Sequence, residues 1–161
     1  MTLENRIEKL ESESSIRQLK ARYLNACDRK DAEAMKACFT PDAVIDFPPL
    51  GEFNVDSLVD IFTQMAVSTP ITDVHQGHNA EITINRDTAK AIWNLGFATY
   101  NPEDHSFRLL SSFYHDTYIK TEDGWLIGYT RSEPRAIIDG TLNDNGLTAQ
   151  WVKRMSKNEC G

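Results

Sequence analysis

The sequence lacks any run approaching about 20 apolar residues, so it offers no helical membrane span. It also lacks basic clusters. None exceeds a pair such as Arg29-Lys30, and the formal charge is −7. Phosphate contacts dominate nucleic-acid affinity, so neither nucleic acid nor an anionic membrane surface is expected as a partner. Cysteine is scarce and odd in number. Cys27, Cys38 and Cys160 form no Cys-x-x-Cys pair, which speaks against a zinc knuckle and for reduced thiols in a cytoplasm. There is no glycine-rich phosphate loop, no Gly-x-Ser-x-Gly and no His-Glu-x-x-His. Nothing points to a nucleotide, a flavin or a metal, and no cofactor is expected. The opening Met-Thr-Leu-Glu-Asn-Arg is polar and acidic, unlike a signal or transit peptide, which again fits a cytoplasmic protein.

What remains is ordinary globular composition. The chain has 161 residues, 40% of them hydrophobic and 25% charged, which suits a single domain over 1–161. Leu3, Ile7 and Leu10, then Ile16, Leu19, Tyr23 and Cys27, recur at spacings of three and four. They predict a helix to about Cys27, starting either at Ser14 or Ser15 or as early as residue 3. Asp31 can cap a short second helix that Thr40-Pro41-Asp42 ends. Ala43 to Phe47 reads as a short strand before Pro48-Pro49, and Ser57 to Ala66 as a third helix. Residues 72–84, 88–100, 106–121 and 125–132 then alternate with period two between turn-like clusters, which predicts antiparallel hairpins. A further helix is expected around Leu147–Met155. Helices segregated from an antiparallel sheet make an α+β fold, and a curved sheet wrapped over the helices would enclose a cavity.

Several side chains could carry chemistry. Asp28 stands at the expected C-terminal end of the first helix, where a carboxylate opposes the helix dipole unless a partner offsets it. Tyr23 lies on the apolar stripe, and a buried tyrosine needs a partner for its hydroxyl. His75 and His78 sit on one expected strand with opposite facing, unless Gly77 marks a bulge. His115 shares a face with Phe113, while Tyr114, Asp116 and Tyr118 share the other. Arg131 is expected on the face of Trp125, Ile127 and Tyr129, as an anion or carbonyl ligand or as a snorkelling stem.

Residues 16–28, Ile-Arg-Gln-Leu-Lys-Ala-Arg-Tyr-Leu-Asn-Ala-Cys-Asp, resemble the opening helix of SnoaL-like proteins in the nuclear-transport-factor-2-like superfamily. The stretches Phe39-Thr40-Pro41-Asp42-Ala43, His75-Gln76-Gly77-His78-Asn79, Tyr114-His115-Asp116-Thr117-Tyr118 and Asp123-Gly124-Trp125-Leu126-Ile127 are similar to the same pattern. The resemblance covers about residues 5–135 and leaves 136–161 as an extension. It implies a cone-shaped, cystatin-like α+β barrel with a deep apolar pocket, lined by Phe47, Phe62, Trp93, Phe97 and Phe113, with His78 near it. The superfamily includes dehydratases, a dehydrochlorinase and ketosteroid isomerases. Members that dehydrate bile acids carry a tyrosine and an aspartate that Tyr23 and Asp28 match, and a histidine matched by His75. Their strand aspartate is missing here, where residues 93–97 read Trp-Asn-Leu-Gly-Phe.

The resemblance implies a dehydratase-type lyase acting on a hydrophobic cyclic or aromatic molecule. Asp28 would orient His75, His75 would remove a carbon-bound proton, and Tyr23 would assist the substrate oxygen. His115 and Arg131 are further candidates for holding negative charge. The same parts suit double-bond isomerisation or formaldehyde-releasing carbon–carbon cleavage of a lignin-type diaryl substrate, and a non-catalytic binding or assembly module remains open. The fold also implies a homodimer or trimer.

Overall fold

The computed structural model describes residues 2–144 and 146–154. Helix α1 runs over Leu3–Asp28 as one element, so the earlier of the two expected starts is the observed one. Thr2 caps it, its hydroxyl accepting the Asn5 N–H at 3.2 Å. The Ser14–Ser15 pair lies inside the helix, because the buried stripe from Ser12 to Cys27 needs continuous turns to stay on one side. Asp31 caps α2 (Ala32–Lys36), its carboxylate accepting from Ala34 N at 2.9 Å. Strand β1 covers Phe39–Phe47, so Thr40-Pro41-Asp42 lies within a strand instead of separating two elements. A short β2 (Gly51–Phe53) folds back on it. Helix α3 is Val55–Phe62, followed by a π-helical turn over Thr63–Val67.

Four long strands follow: β3 (Thr72–Asn85), β4 (Thr88–Tyr100), β5 (Ser106–Thr121) and β6 (Gly124–Asn143). The last element is β7 (Gly146–Arg154). The segment around Leu147–Met155, expected as a helix, is therefore a strand as far as Arg154, and Met155 lies outside the described residues. β6 continues well past Ser132 and offers an edge, and a nine-residue helix would have no such partner to support it. The sheet order is β2-β1-β6-β5-β4-β3, with β7 on the far half of β6. All pairings are antiparallel except β1 with β6. The result is an α+β fold in which a curved, unclosed sheet wraps around the N-terminal helices. Among the described residues no helix is long and apolar enough to cross a membrane.

Helix α1 packs on one face of this sheet, against β3 and β6. That face carries Ala89, Ala91, Trp93 and Leu95 of β4, all buried, with Phe97 partly buried beside them. From β5 it carries Ser112, Tyr114, Asp116 and Tyr118, and from β1 Ile45. Strand β6 contributes Trp125 and Ile127 and then changes phase. Tyr118 pairs with Ile127, but Thr117 pairs with Tyr129, so Gly128 is an extra residue in the ladder. Beyond it the buried positions are the even-numbered Thr130, Ser132 and Pro134.

Candidate active site

The end of α1 meets the start of β3 through Asp28. Its Oδ1 lies 2.6 Å from His75 Nδ1. Both carboxylate oxygens also accept the His75 backbone N–H, each at 3.1 Å. No basic residue occupies the last turn of α1, so the contacts with His75, its backbone N–H above all, answer the unfavourable position of the carboxylate against the helix dipole. The His75 ring packs against Phe97, with centroids 4.6 Å apart. The side chains of His75 and Asp28 keep 17% and 25% exposure, so the pair is sheltered yet reachable.

A second pair stands two residues earlier on the same face of β3. Asp73 is ion-paired with Lys30, which follows α1 in the left-handed region at φ 60°. Sequence reasoning passed over both residues. The signal was the alternation itself, which puts Asp73 on the His75 side of the strand.

Deeper inside, Lys20 is fully buried. Its ammonium lies 2.8 Å from Asp116 Oδ2, as an ion pair without an aligned hydrogen bond. The same nitrogen sits 4.2 Å from the Tyr114 ring centroid and 5.2 Å from that of Tyr23. Asp116 accepts from the Tyr118 hydroxyl at 2.6 Å and the Thr130 hydroxyl at 2.7 Å. Trp93 Nε1–H donates to the Tyr118 oxygen at 3.0 Å. Lys20 was also missed, although it sits four residues after Ile16 and three before Tyr23 on the buried stripe.

The remaining candidates divide by face. Tyr23 is buried, edge-on to Phe39 with centroids 5.3 Å apart, and its hydroxyl lies beside the Cys27 thiol. Phe47 stacks on Tyr114 at 5.8 Å, and Phe62 packs against the core. His115 and Arg131 do not join them. They pair with each other across β5 and β6 on the face away from α1. His115 Nε2 is 2.9 Å from Glu133, and Arg131 donates to Asp46 at 2.8 Å. Arg131 therefore does not share the face of Trp125 and Ile127, because the bulge at Gly128 shifts every later β6 side chain by one position. Phe113 lies on the His115 face, with the Arg135 guanidinium 5.7 Å from its ring centre, so it is not a lining residue of the α1 side. His78 is exposed. A register shift follows it, and it pairs with Asn94 on the face opposite His75. Among the described residues no group of three or more His, Cys, Asp or Glu side chains converges to hold a metal ion.

Burial sets the proton equilibria of the interior. It drives the Tyr23, Tyr114 and Tyr118 phenols well above the ordinary tyrosine value, with nearby Asp116 adding to each. The Cys27 thiol is pushed to about 12 by burial and then by the neighbouring Asp28 charge. Burial lowers Lys20, and Asp116 pulls it partly back. Folding therefore holds protons on three phenols that the unfolded chain would release near pH 10.0. The stability they contribute is complete below that pH and is lost as pH rises toward their folded values. Ultraviolet phenolate absorbance should rise for these residues in one cooperative step together with the loss of circular dichroism. Smooth titration of all five tyrosines ahead of unfolding would contradict the buried arrangement.

Comparison with known proteins adds to this geometry. The profile of the SnoaL-like domain matches residues 8–131. The chain belongs to the SnoaL-like domain family. An uncharacterized protein of Mycobacterium tuberculosis is 26% identical to this SnoaL-like protein over 119 residues, covering 70% of this chain and 78% of that one. The hexachlorocyclohexane dehydrochlorinase LinA-type3 from Novosphingobium barchaimii superposes with a TM-score of 0.72 at 14% identity, over 93% of this chain and 97% of that one. A protein from Novosphingobium aromaticivorans, described as NTF2-like with a cystatin-like fold, gives 0.68 at 23% identity, over 81% and 86%. These likenesses establish the nuclear-transport-factor-2-like fold of the SnoaL-like chain.

Proposed function

We propose that this SnoaL-like protein is a lyase that needs no cofactor and performs dehydratase-type elimination on a hydrophobic cyclic or aromatic molecule. The observation that carries the reading is the 2.6 Å contact between Asp28 Oδ1 and His75 Nδ1. A carboxylate there draws the Nδ1 proton toward itself and leaves Nε2 as the open acceptor. His75 Nε2 takes a proton from substrate carbon. The C–H electron pair becomes the new double bond, and the neighbouring C–O bond breaks. The departing hydroxide takes the imidazolium proton and leaves as water, which restores the neutral histidine. Tyr23, kept a neutral phenol by burial, is the donor assigned to a substrate oxygen. Phe97 against the His75 ring provides an apolar surface for a flat substrate. The dehydrochlorinase of similar fold is named for an elimination, which is compatible with this chemistry.

The test is incubation of the purified protein with hydroxylated steroids, polyketide ketols and diaryl diols, followed by mass spectrometry. Loss of one water, abolished in His75→Ala, is the expected result. Absence of any elimination product across the three classes overturns the reading.

A further inference from the structure

We infer that Lys30 and Asp73 form a polar anchor for a second oxygen function of the substrate, with the Asp73 backbone about 7 Å along β3 from that of His75. This rests on the reading of His75 as the base.

The first observation is an acceptor with nothing to accept. Asp73 is buried, with 8% of its surface exposed. Its Oδ2 is held by Lys30, while Oδ1 is buried and has no hydrogen-bond partner among the described residues. A buried carboxylate oxygen left in that state is costly, and a donor from a ligand would remove the cost. The second observation is the partner's surplus. The Lys30 ammonium has three N–H donors, its hydrogen bond among the described residues is to Asp73, and its side chain keeps 21% exposure. Donor and acceptor together match a hydroxyl group, which can accept from the ammonium and donate to the carboxylate at once.

The third observation is position. Asp73 and His75 lie two residues apart on one strand face, which sets the spacing between the anchor and the base. Thr99 is the cross-strand partner of Asp73, as Phe97 is of His75. Thr99 and Ile71 line a cleft of about 630 Å³ that continues along the sheet past Arg108 and Asp139. A cleft of that size is within the range of small-molecule sites. The substrate class that follows is a rigid, largely apolar skeleton with its acidic C–H at one end and a hydroxyl at the other. A hydrocarbon or halocarbon without an O–H would leave Asp73 Oδ1 unsatisfied, and sites of that kind discriminate strongly against such analogues.

The probes are 6-hydroxy-β-tetralone, which carries an acidic C–H and a distant hydroxyl on a flat bicycle, and β-tetralone, which lacks the hydroxyl. Dissociation constants are measured by titration, and proton exchange into deuterated buffer by nuclear magnetic resonance. The full chain should bind the hydroxylated ketone about tenfold more tightly or better. In the double variant Lys30→Met with Asp73→Leu the two affinities should become nearly equal. Replacing both members of the pair by apolar residues of similar volume leaves no stranded charge, and a melting curve confirms folding. Where that variant does not fold, Lys30→Met and Asp73→Asn are measured singly, each expected to shrink the preference several-fold. His75→Gln should stop exchange and keep the preference. Equal affinities in the unmodified protein, or a preference that survives the anchor variants, overturns the anchor. Preference without exchange keeps the anchor and removes the base, and exchange without preference does the reverse.

Discussion

His75→Ala is expected to lower turnover of the substrate by between about a hundredfold and ten-thousandfold while leaving the fold intact. General-base catalysis contributes an effect of that order, and His75 is partly exposed, so its removal opens no sealed cavity. Asp28→Asn should approach the upper end of the same range for a different reason. The amide would present an N–H to Nδ1, forcing the ring proton onto Nε2, and the base would face the substrate in the wrong tautomer. The retained amide oxygen, in the place of Oδ2, still accepts the His75 N–H, so the junction between α1 and β3 holds. The measurement is kcat/KM for each variant beside its melting temperature. A Asp28→Asn protein that turns over as well as the parent would remove Asp28 from the catalytic pair. The same result for His75→Ala would remove the base altogether.

The largest expected loss of stability is in the buried Lys20–Asp116 pair. Asp116→Leu strands an ammonium beneath Tyr23 and Tyr114 with no counterion, and should cost about 3–5 kcal/mol. Lys20→Met should cost less, because Asp116 keeps the hydroxyl donors of Tyr118 and Thr130. The double variant should recover most of the loss, since an apolar pair of similar volume leaves no buried charge. Chemical denaturation of the three variants and the parent reads this directly. Losses that simply add would show that the two residues are not coupled. The pH dependence has a definite sign. Burial lowers Lys20 from its ordinary 10.5 in the folded state, so its charge burdens the native protein in full only below that lowered value. That burden eases as pH rises through the folded value, where the native state sheds the proton first.

The four long strands were legible in the sequence because each alternates cleanly over many residues. Residues 106–121 were bounded as observed, with turn-forming clusters on either side. The grouping of Tyr114, Asp116 and Tyr118 on one face followed from the same period. What alternation could not reveal was where it breaks. Gly128 carries no side chain to signal an extra residue, so Arg131 was extrapolated onto the wrong face. The segment after Gly146 was equally ambiguous. Its strand state depends on the long free half of β6, a partner that no local pattern announces. Asp28 was suspicious from its place at a helix end, and the resemblance supplied His75 as its partner. Lys20 and Lys30 were not singled out because a lysine is normally solvated. Their partners, Asp116 and Asp73, are 96 and 43 residues away.

Asp28 has one more consequence, at the margin of the sheet. β3 is the last strand in the sheet order, so among the described residues no further strand satisfies its outer backbone edge. Such a margin is a template for strand addition and for self-association through backbone groups. At His75 the outward N–H is occupied by both oxygens of a carboxylate from the helix above. The amide that would invite a foreign strand is thereby closed by the residue proposed to orient the base. Slow hydrogen exchange at this single amide would report an intact site, and a variant that loses the Asp28 carboxylate would expose both a disarmed histidine and an open seam.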